Sequence, residues 1–397
     1  MLEPSARAKR IEYAIRDVVV PARKLEKEGH KILKLNIGDP IKYDWKTPEF
    51  IREAAAKAVL ESKSEYSPSE GIPELREEIV KKEKEYGVDI SEEDVVVTTG
   101  VTEALMLIFG GLINPGDEVL VPGPTYPPYI TYPLFYDGVP ISYRTVEEDG
   151  WQPDVEDIRK KISLKTKAIA VINPNNPTGA LYSRKTLQEI MDIAAENNLL
   201  VISDEIYDKI IYEGEFVSPL SVAKDVPAIV LNGISKVYLA PGWRIGYLAI
   251  RDSDGKLEEL RDAILRQARA RLCPNTPLQY GYLAALRSGD SHIPEMIRKL
   301  RERRDFAAKY INEEIEGMEV APPKGAFYMF PRIDGCEDDK KFVLSLLHKK
   351  HVLAVHGSGF CPIYGKGHMR IVNLPPVDYL EEALSRIREF MKEWRKQ

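Results

Sequence analysis

The chain has 397 residues, 44% of them apolar and 30% charged, with a formal net charge of −6. This length predicts two or three domains, and the composition is that of an ordinary globular protein. The acidic balance argues against a general nucleic-acid or polyanion binder, though not against a local anion site. The most apolar run, "ALMLIFGGLI", is too short to span a bilayer.

The N-terminus, "MLEPSARAKRIEYAIRD", is charged and lacks the apolar core of a signal peptide. The first 45 or so residues read as a helix and a short extended piece that could pack on either body. From about Asp94 to Ile250, β-rich runs alternate with helical patterns: "DVVVTT", "DEVLVP", "PISYRTV", "KAIAVIN", "LLVISD", "AIVLNG" and "GYLAI". Such alternation predicts an α/β domain with a mainly parallel sheet of seven strands between helices. Several strands are apolar throughout, as strands buried on both faces should be. After about Ser288 come the amphipathic helix "HIPEMIRKLRERRDFAAKYINEE", short strands at "GAFYMFPRI" and "MRIVNL", and the closing helix "VDYLEEALSRIREFMKEWRKQ". This part predicts a smaller α+β domain. The expected division is 1–45 as an N-terminal arm and part of the small domain, 46–287 as the large domain, and 288–397 as the small C-terminal domain.

In open α/β sheets ligands sit beyond the carboxyl ends of the strands. Polar residues there are the candidates, each with a structural alternative. In "TTGVTEAL", Gly100 permits a tight turn and the helix starting near Thr102 offers free N–H groups to an anion, or only a threonine cap. In "VPGPTYPPY", proline stiffens a loop that offers Tyr126 as a flat face for an aromatic ring, or packs it on the core. "NPNNPTG" is a rigid turn with three asparagines where a structural turn would need one, and Asn176 could aim an amide into the crevice. In "VISDEIYD", Asp204 ends an apolar strand, where a carboxylate is costly unless paired, and Tyr207 can face the same crevice; capping the next helix is the alternative.

In "NGISKVYLAPGWRIGY", the amine of Lys236 could form a Schiff base with an aldehyde, while Ser235 and Arg244 bind a phosphate; a solvated lysine is the plain alternative. In "HMRIVN", Arg370 stands among apolar neighbours and needs a carboxylate partner from the protein or a ligand. His348 and His351 have metal-like spacing but no carboxylate or thiol placed beside them, so a solvated helix face and no metal site are expected. Cys273, Cys336 and Cys361 are far apart and fit neither a metal nor a disulfide framework, which suggests a reducing cytoplasm. No G-x-G-x-x-G follows a strand, and no G-x-S-x-G elbow occurs.

Together, "LNIGDP", "YSPSEGIPELRE", "NPNNPTG", "SDEIYD", "SKVYLAPGWRIGY" and "MRIVN" resemble, in order and spacing, the class I/II aminotransferases, pyridoxal-phosphate enzymes of fold type I. The resemblance covers almost the whole chain. At "RLCPNTP" and "AVINPNNPTGALY" it is greatest to the archaeal-type alanine aminotransferases.

This resemblance implies a large domain that binds pyridoxal 5'-phosphate, a small domain built from both chain ends, and a homodimer with shared active sites. Lys236 would hold the cofactor as a Schiff base and later shuttle the proton. Asp204 would pair with the protonated pyridine nitrogen and keep the ring an electron sink. Tyr207 and Asn176 would bond the ring's phenolic oxygen, and Tyr126 would stack on the ring. Val101, Thr102, Ser235 and Arg244 would hold the phosphate, and Tyr66 would reach the phosphate of the partner subunit. Arg370 would clamp the substrate α-carboxylate, with Gly38, Asn176 and Tyr126 close by. One departure is Gly233, where many relatives carry a phosphate-binding serine.

The implied reaction moves an amino group from an L-amino acid to a 2-oxo acid with ping-pong kinetics, first of all alanine with 2-oxoglutarate. Aspartate or aromatic amino acids, or carbon–sulfur β-elimination on the same scaffold, are the alternatives. Neither a nucleic acid nor a membrane is an expected partner. A regulatory protein with an aminotransferase-like domain would bring a DNA-binding module, for which the N-terminus has no room. A second substrate carboxylate would need another cation, for which Arg266, Arg269 and Arg271 are candidates.

Overall fold

The computed structural model describes residues 2–11, 14 and 18–396. A short strand, β1 (Leu33–Lys34), lies in the N-terminal arm. The central sheet then collects β2 (Val95–Thr98), β3 (Glu118–Gly123), β4 (Val139–Val146), β5 (Gln152–Pro153), β6 (Thr166–Ile172), β7 (Leu200–Asp204), β8 (Ala228–Gly233) and β9 (Gly246–Arg251). Their spatial order is β2-β9-β8-β7-β6-β3-β4-β5. All seven strands expected from the sequence are present. The eighth, β5, is a two-residue strand antiparallel to the end of β4, too short to leave a period in the sequence.

Neighbours from β4 through β8 run parallel, whereas β9 is antiparallel to both β2 and β8. The apolar strands serve two faces at once. Val95 and Val97 join one hydrophobic cluster and Val96 the other. Helices Val101–Leu112 and Glu258–Arg271 supply Leu105, Ile108 and Ile264 to the Val96 side. Helices Pro73–Glu85 and Arg184–Glu196 supply Leu75, Ile79, Leu187 and Ile190 to the other. Each such side chain, fully buried, contributes roughly 1.5–3 kcal/mol, so helices on both faces hold the sheet between them.

The C-terminal part carries β10 (Met318–Glu319), β11 (Tyr328–Met329), β12 (Arg332–Ile333), β13 (Val352–Leu353), β14 (Val355–His356) and β15 (Met369–Val372). β11 and β14 flank β15, both antiparallel to it. β1 pairs in parallel with β13, Leu33 opposite Val352, so the N-terminal arm joins the C-terminal part. Helices Ile293–Glu314 and Val377–Trp394 pack on one another beside these strands. Among the described residues no helix is long and apolar enough to cross a membrane.

Candidate active site

Strand direction decides which side chains meet. β3, β6, β7 and β8 are parallel, so their carboxyl ends share one edge of the sheet. β9 runs the other way, which brings the segment before it, with Arg244, to that same edge. β2, antiparallel to β9, ends there too and hands over to the helix at Val101. The edge opens on two adjoining hollows of about 110 and 710 Å³. The smaller is lined by Val101, Thr102, Tyr126, Asn176, Asp204, Tyr207, Ser235, Lys236 and Arg244. The larger shares Thr102, Tyr126, Asn176, Lys236 and Arg244 with it and adds Gly38 and Arg370 from the chain's two ends. Of the residues to which the resemblance assigns a role, Tyr66 alone lies outside both hollows, and it is 81% exposed.

The phosphate-like corner depends on glycine. Gly100 has φ +74°, and a Cβ there would stand 2.4 Å from the Nη2 of Arg244. Only glycine allows both the left-handed turn and the close guanidinium. Arg244 itself is left-handed at φ 57° and donates to the carbonyls of Pro241 (2.9 Å) and Thr99 (3.3 Å). Its fork is thereby aimed at the start of the helix Val101–Leu112, where free N–H groups and the dipole favour an anion. Gly233 does not simply lack a serine. A Cβ there would lie 2.7 Å from the Cα of Gly246 and 2.7 Å from the carbonyl of Ile245, so β8 and β9 meet too closely for any side chain.

The three asparagines of the turn divide their work. Asn173 donates to the Val217 carbonyl and accepts from Tyr182 N–H. Asn175 accepts from the Thr178 N–H and hydroxyl. These two build the turn, and Asn176 faces the crevice, where its Oδ1 accepts from Arg370 at 3.0 Å.

Asp204, the last residue of β7, is 3% exposed. No helix follows it directly, so it is not a helix cap; it accepts from the Ile206 N–H (3.2 Å) and the Tyr129 hydroxyl (3.0 Å). Burial pushes its carboxyl up to about 6, against the lowering effect of those two donors and of Lys236. Lys236 donates from Nζ to the Gly38 carbonyl at 2.8 Å. Burial draws its amine down to about 8; Asp39 opposes this and Arg370 and Arg244 add to it. An amine so depressed is available as a base or nucleophile near neutral pH.

Arg370 is 1% exposed. It donates to the Asn36 carbonyl as well as to Asn176, and its guanidinium carbon lies 4.6 Å from the Tyr328 ring centroid and 4.8 Å from that of Phe360. Tyr207 shares a hydrogen bond of 2.9 Å with the Tyr328 hydroxyl. Burial first, then Tyr328, drives its phenol well above its ordinary range, so it stays neutral.

Sequence reasoning missed Tyr129 and Tyr328. Both lie in stretches that had been singled out, but only a helix phase at Tyr129 and a strand register at Tyr328 could have aimed them. The candidate arginines lie elsewhere. Arg266 pairs with Asp262, Arg269 with Glu70, and Arg271 with Glu103, and none lines either hollow.

The donor set suits a flat pyridine aldehyde bearing a phosphate. It offers a buried carboxylate for a ring N–H, a depressed amine for the aldehyde, neutral donors for a ring oxygen, and an arginine beside a helix start for the phosphate.

Comparison with known proteins agrees in kind. The family model described as "Aminotransferase class I and II" matches residues 30–387. The glutamate-pyruvate aminotransferase AlaA of Haemophilus influenzae is 38% identical over 97% of this chain and 98% of its own. The solved alanine aminotransferase of Pyrococcus furiosus is 58% identical, with a TM-score of 0.96 over 98% of this chain and 100% of its own. A single mutant of the Thermus thermophilus aspartate aminotransferase is 32% identical, with a TM-score of 0.89 over 98% and 100%.

Proposed function

This chain belongs to the class I and II aminotransferases, and from that premise we propose that it transfers the amino group of L-alanine to 2-oxoglutarate with pyridoxal 5'-phosphate at Lys236. Enzymes of this class are pyridoxal-phosphate-dependent in general. When bound, that cofactor supplies an electron sink that makes the substrate's α-proton acidic. The residues do the rest. Asp204, relieved of its burial cost by a cationic ring N–H, keeps the sink charged. Tyr207 and Asn176 orient the ring, Tyr126 covers its face, and Arg244, Ser235, Thr102 and the Val101 N–H fix the phosphate. Arg370 takes the substrate carboxylate in a two-pronged grip. Lys236 Nζ removes the proton from the substrate Cα and returns one on the way back. With the carboxylate gripped by Arg370 and the cofactor's phosphate by Arg244, the substrate would be held in one orientation at Lys236 Nζ, and orientation of this kind lowers the barrier.

The observation that carries this reading is the convergence of Asp204 and Lys236, one raised to about 6 and the other lowered to about 8, on a single crevice. The preference for alanine draws on what the Haemophilus and Pyrococcus relatives are called. The division at residues 45 and 287 sets Gly38 and Arg370 on one body and Lys236 on the other, so the site is shared between domains.

A homodimer would use Tyr66. Its loop is held beside Leu272, itself 53% exposed, by bonds from Arg271 to the Ser69 carbonyl and from Thr276 to the Glu65 carbonyl. The three cysteines are thiols, which supports a reducing cytoplasm.

The test is a panel of amino acids added singly to the purified, cofactor-loaded protein, scored by how fast each bleaches its near-visible band. Alanine and glutamate are expected to be fastest. A faster response to aspartate or an aromatic amino acid would overturn the alanine assignment. Pyruvate and ammonia released without any oxo acid would overturn the transferase reading in favour of a β-lyase.

A further inference from the structure

Tyr328 touches both ends of the proposed site, Arg370 at one and Tyr207 at the other. It sits on β11 opposite Val372 of β15. Strand alternation puts Arg370, two residues from Val372, on the same face of that pair. The ring therefore lies against the guanidinium, 4.6 Å from its carbon. The hydroxyl reaches the other way, 2.9 Å from that of Tyr207. Room for it is made by Gly38, where a Cβ would stand 2.0 Å from the Tyr328 oxygen, and the Gly38 carbonyl accepts the Lys236 amine.

We propose that Tyr328 is a positioning residue with two separable roles: its ring face aligns Arg370 for the substrate carboxylate, and its hydroxyl, through Tyr207, lowers the proton affinity at the Lys236–cofactor linkage. The inference rests on the reading of this crevice as a pyridoxal-phosphate site. A neutral phenol donates one proton. If Tyr207 spends its proton on the cofactor's phenolic oxygen, the proton in the Tyr207–Tyr328 bond must come from Tyr328. The chain of donors then runs from Tyr328 through Tyr207 to that oxygen, and each bond polarises the next. A stronger donor at Tyr207 stabilises negative charge on the oxygen and so weakens proton binding at the adjacent linkage. The other end of Tyr328 acts on Arg370. Its ring face, with that of Phe360, holds the guanidinium by cation–π attraction in the plane that a carboxylate needs.

The two halves separate by substitution. Tyr328→Phe removes only the hydroxyl, and Tyr328→Leu removes the ring face as well. The readouts are the pH midpoint of the bound cofactor's absorption band, and the dissociation constant of propionate, which has alanine's carboxylate but no amine. In Tyr328→Phe the midpoint should rise by a few tenths of a pH unit, about a twofold change in proton affinity. Propionate affinity should stay within about twofold, the cation–π face being intact. In Tyr328→Leu propionate should bind about 3- to 30-fold more weakly. Phe360→Leu, which keeps the hydroxyl, should weaken propionate without moving the midpoint, and it stands in if Tyr328→Leu fails to fold.

An unmoved midpoint in Tyr328→Phe overturns the hydroxyl half. Wild-type propionate affinity in the leucine variants overturns the clamp half. A wild-type chain that takes up no pyridoxal phosphate overturns the site reading itself, a result distinct from both.

Discussion

Asp204 and Glu205 are neighbours, yet they belong to two very different groups of buried charge. On the Glu205 side, Lys82 lies 2.9 Å from Asp208 and 3.1 Å from Glu83, and donates to the Tyr247 hydroxyl as well. Burial pulls the Lys82 pKa down, but the attractions of Asp208 and Glu83 more than reverse this, so the amine stays charged. Glu205 accepts from Ser203 and Ser218, and burial with the nearby Glu83 charge raises it to about 8. Asn232 fastens Asp208 to the Glu205 carbonyl. On the crevice side, Asp204 is held by neutral donors and Lys236 by a carbonyl, and both are pushed toward their uncharged forms. One group is completed by the chain itself. The other is arranged so that a ligand's charges complete it. Buried charge by itself does not mark a function, and neither does a shift toward neutrality, which Glu205 shares with Asp204; what sets Asp204 and Lys236 apart is that they line an open crevice.

Substitutions can break this contrast. The largest effect is expected at Lys236. Lys236→Ala should lower turnover by about four orders of magnitude, the upper end of what a positioned base provides. Its melting temperature should match wild type, because no ion pair is lost. Lys82→Met should do the reverse. It strands two buried carboxylates and should cost about 3–5 kcal/mol of stability, read from a denaturant midpoint, while whatever protein stays folded still takes up cofactor. Smaller still is Gly233→Ser, which forces a side chain between β8 and β9. It should cost about 1–3 kcal/mol without tightening phosphate binding, measured by calorimetry with pyridoxal phosphate. Tighter binding would mean that the missing serine had been a simple loss.

The same contrast explains what could be read in advance. The sheet was legible because β-rich runs alternate with helical patterns, and several of the seven are apolar throughout, the mark of strands buried on both faces; β4, with exposed and half-buried positions, showed only in the alternation. Asp204, Lys236, Arg244 and Arg370 stood out because each is a charge in an apolar or glycine-rich setting, and the family resemblance supplied roles for them. Lys82 and Glu83 did not stand out. They sit within "ELREEIVKKEKEYG", where buried and solvated charges look alike until the helix phase is known. Tyr129 and Tyr328 were hidden for a related reason: an aromatic residue in an apolar stretch signals packing, and a hydroxyl's partner depends on register. Gly233 was visible as a departure, but its cause, the backbone of β9 at Gly246, is a contact between strands that no local pattern carries.

The central claim, that the crevice holds charge for a ligand to complete, is tested most directly by the stability of Asp204→Asn without cofactor. The folded pKa of Asp204 is raised from 3.8 to about 6. Its contribution to stability is therefore full below pH 3.8 and is lost as pH rises through about 6. Asparagine does not titrate. Denaturant unfolding of the cofactor-free proteins should show the variant gaining on wild type between pH 4 and pH 6 and remaining the more stable at pH 7.5. Asp208→Asn, in the self-completed group, should be the less stable at pH 7.5. If Asp204→Asn instead lost stability relative to wild type as pH rose, the chain itself would satisfy the carboxylate, and the contrast between the two groups would be wrong.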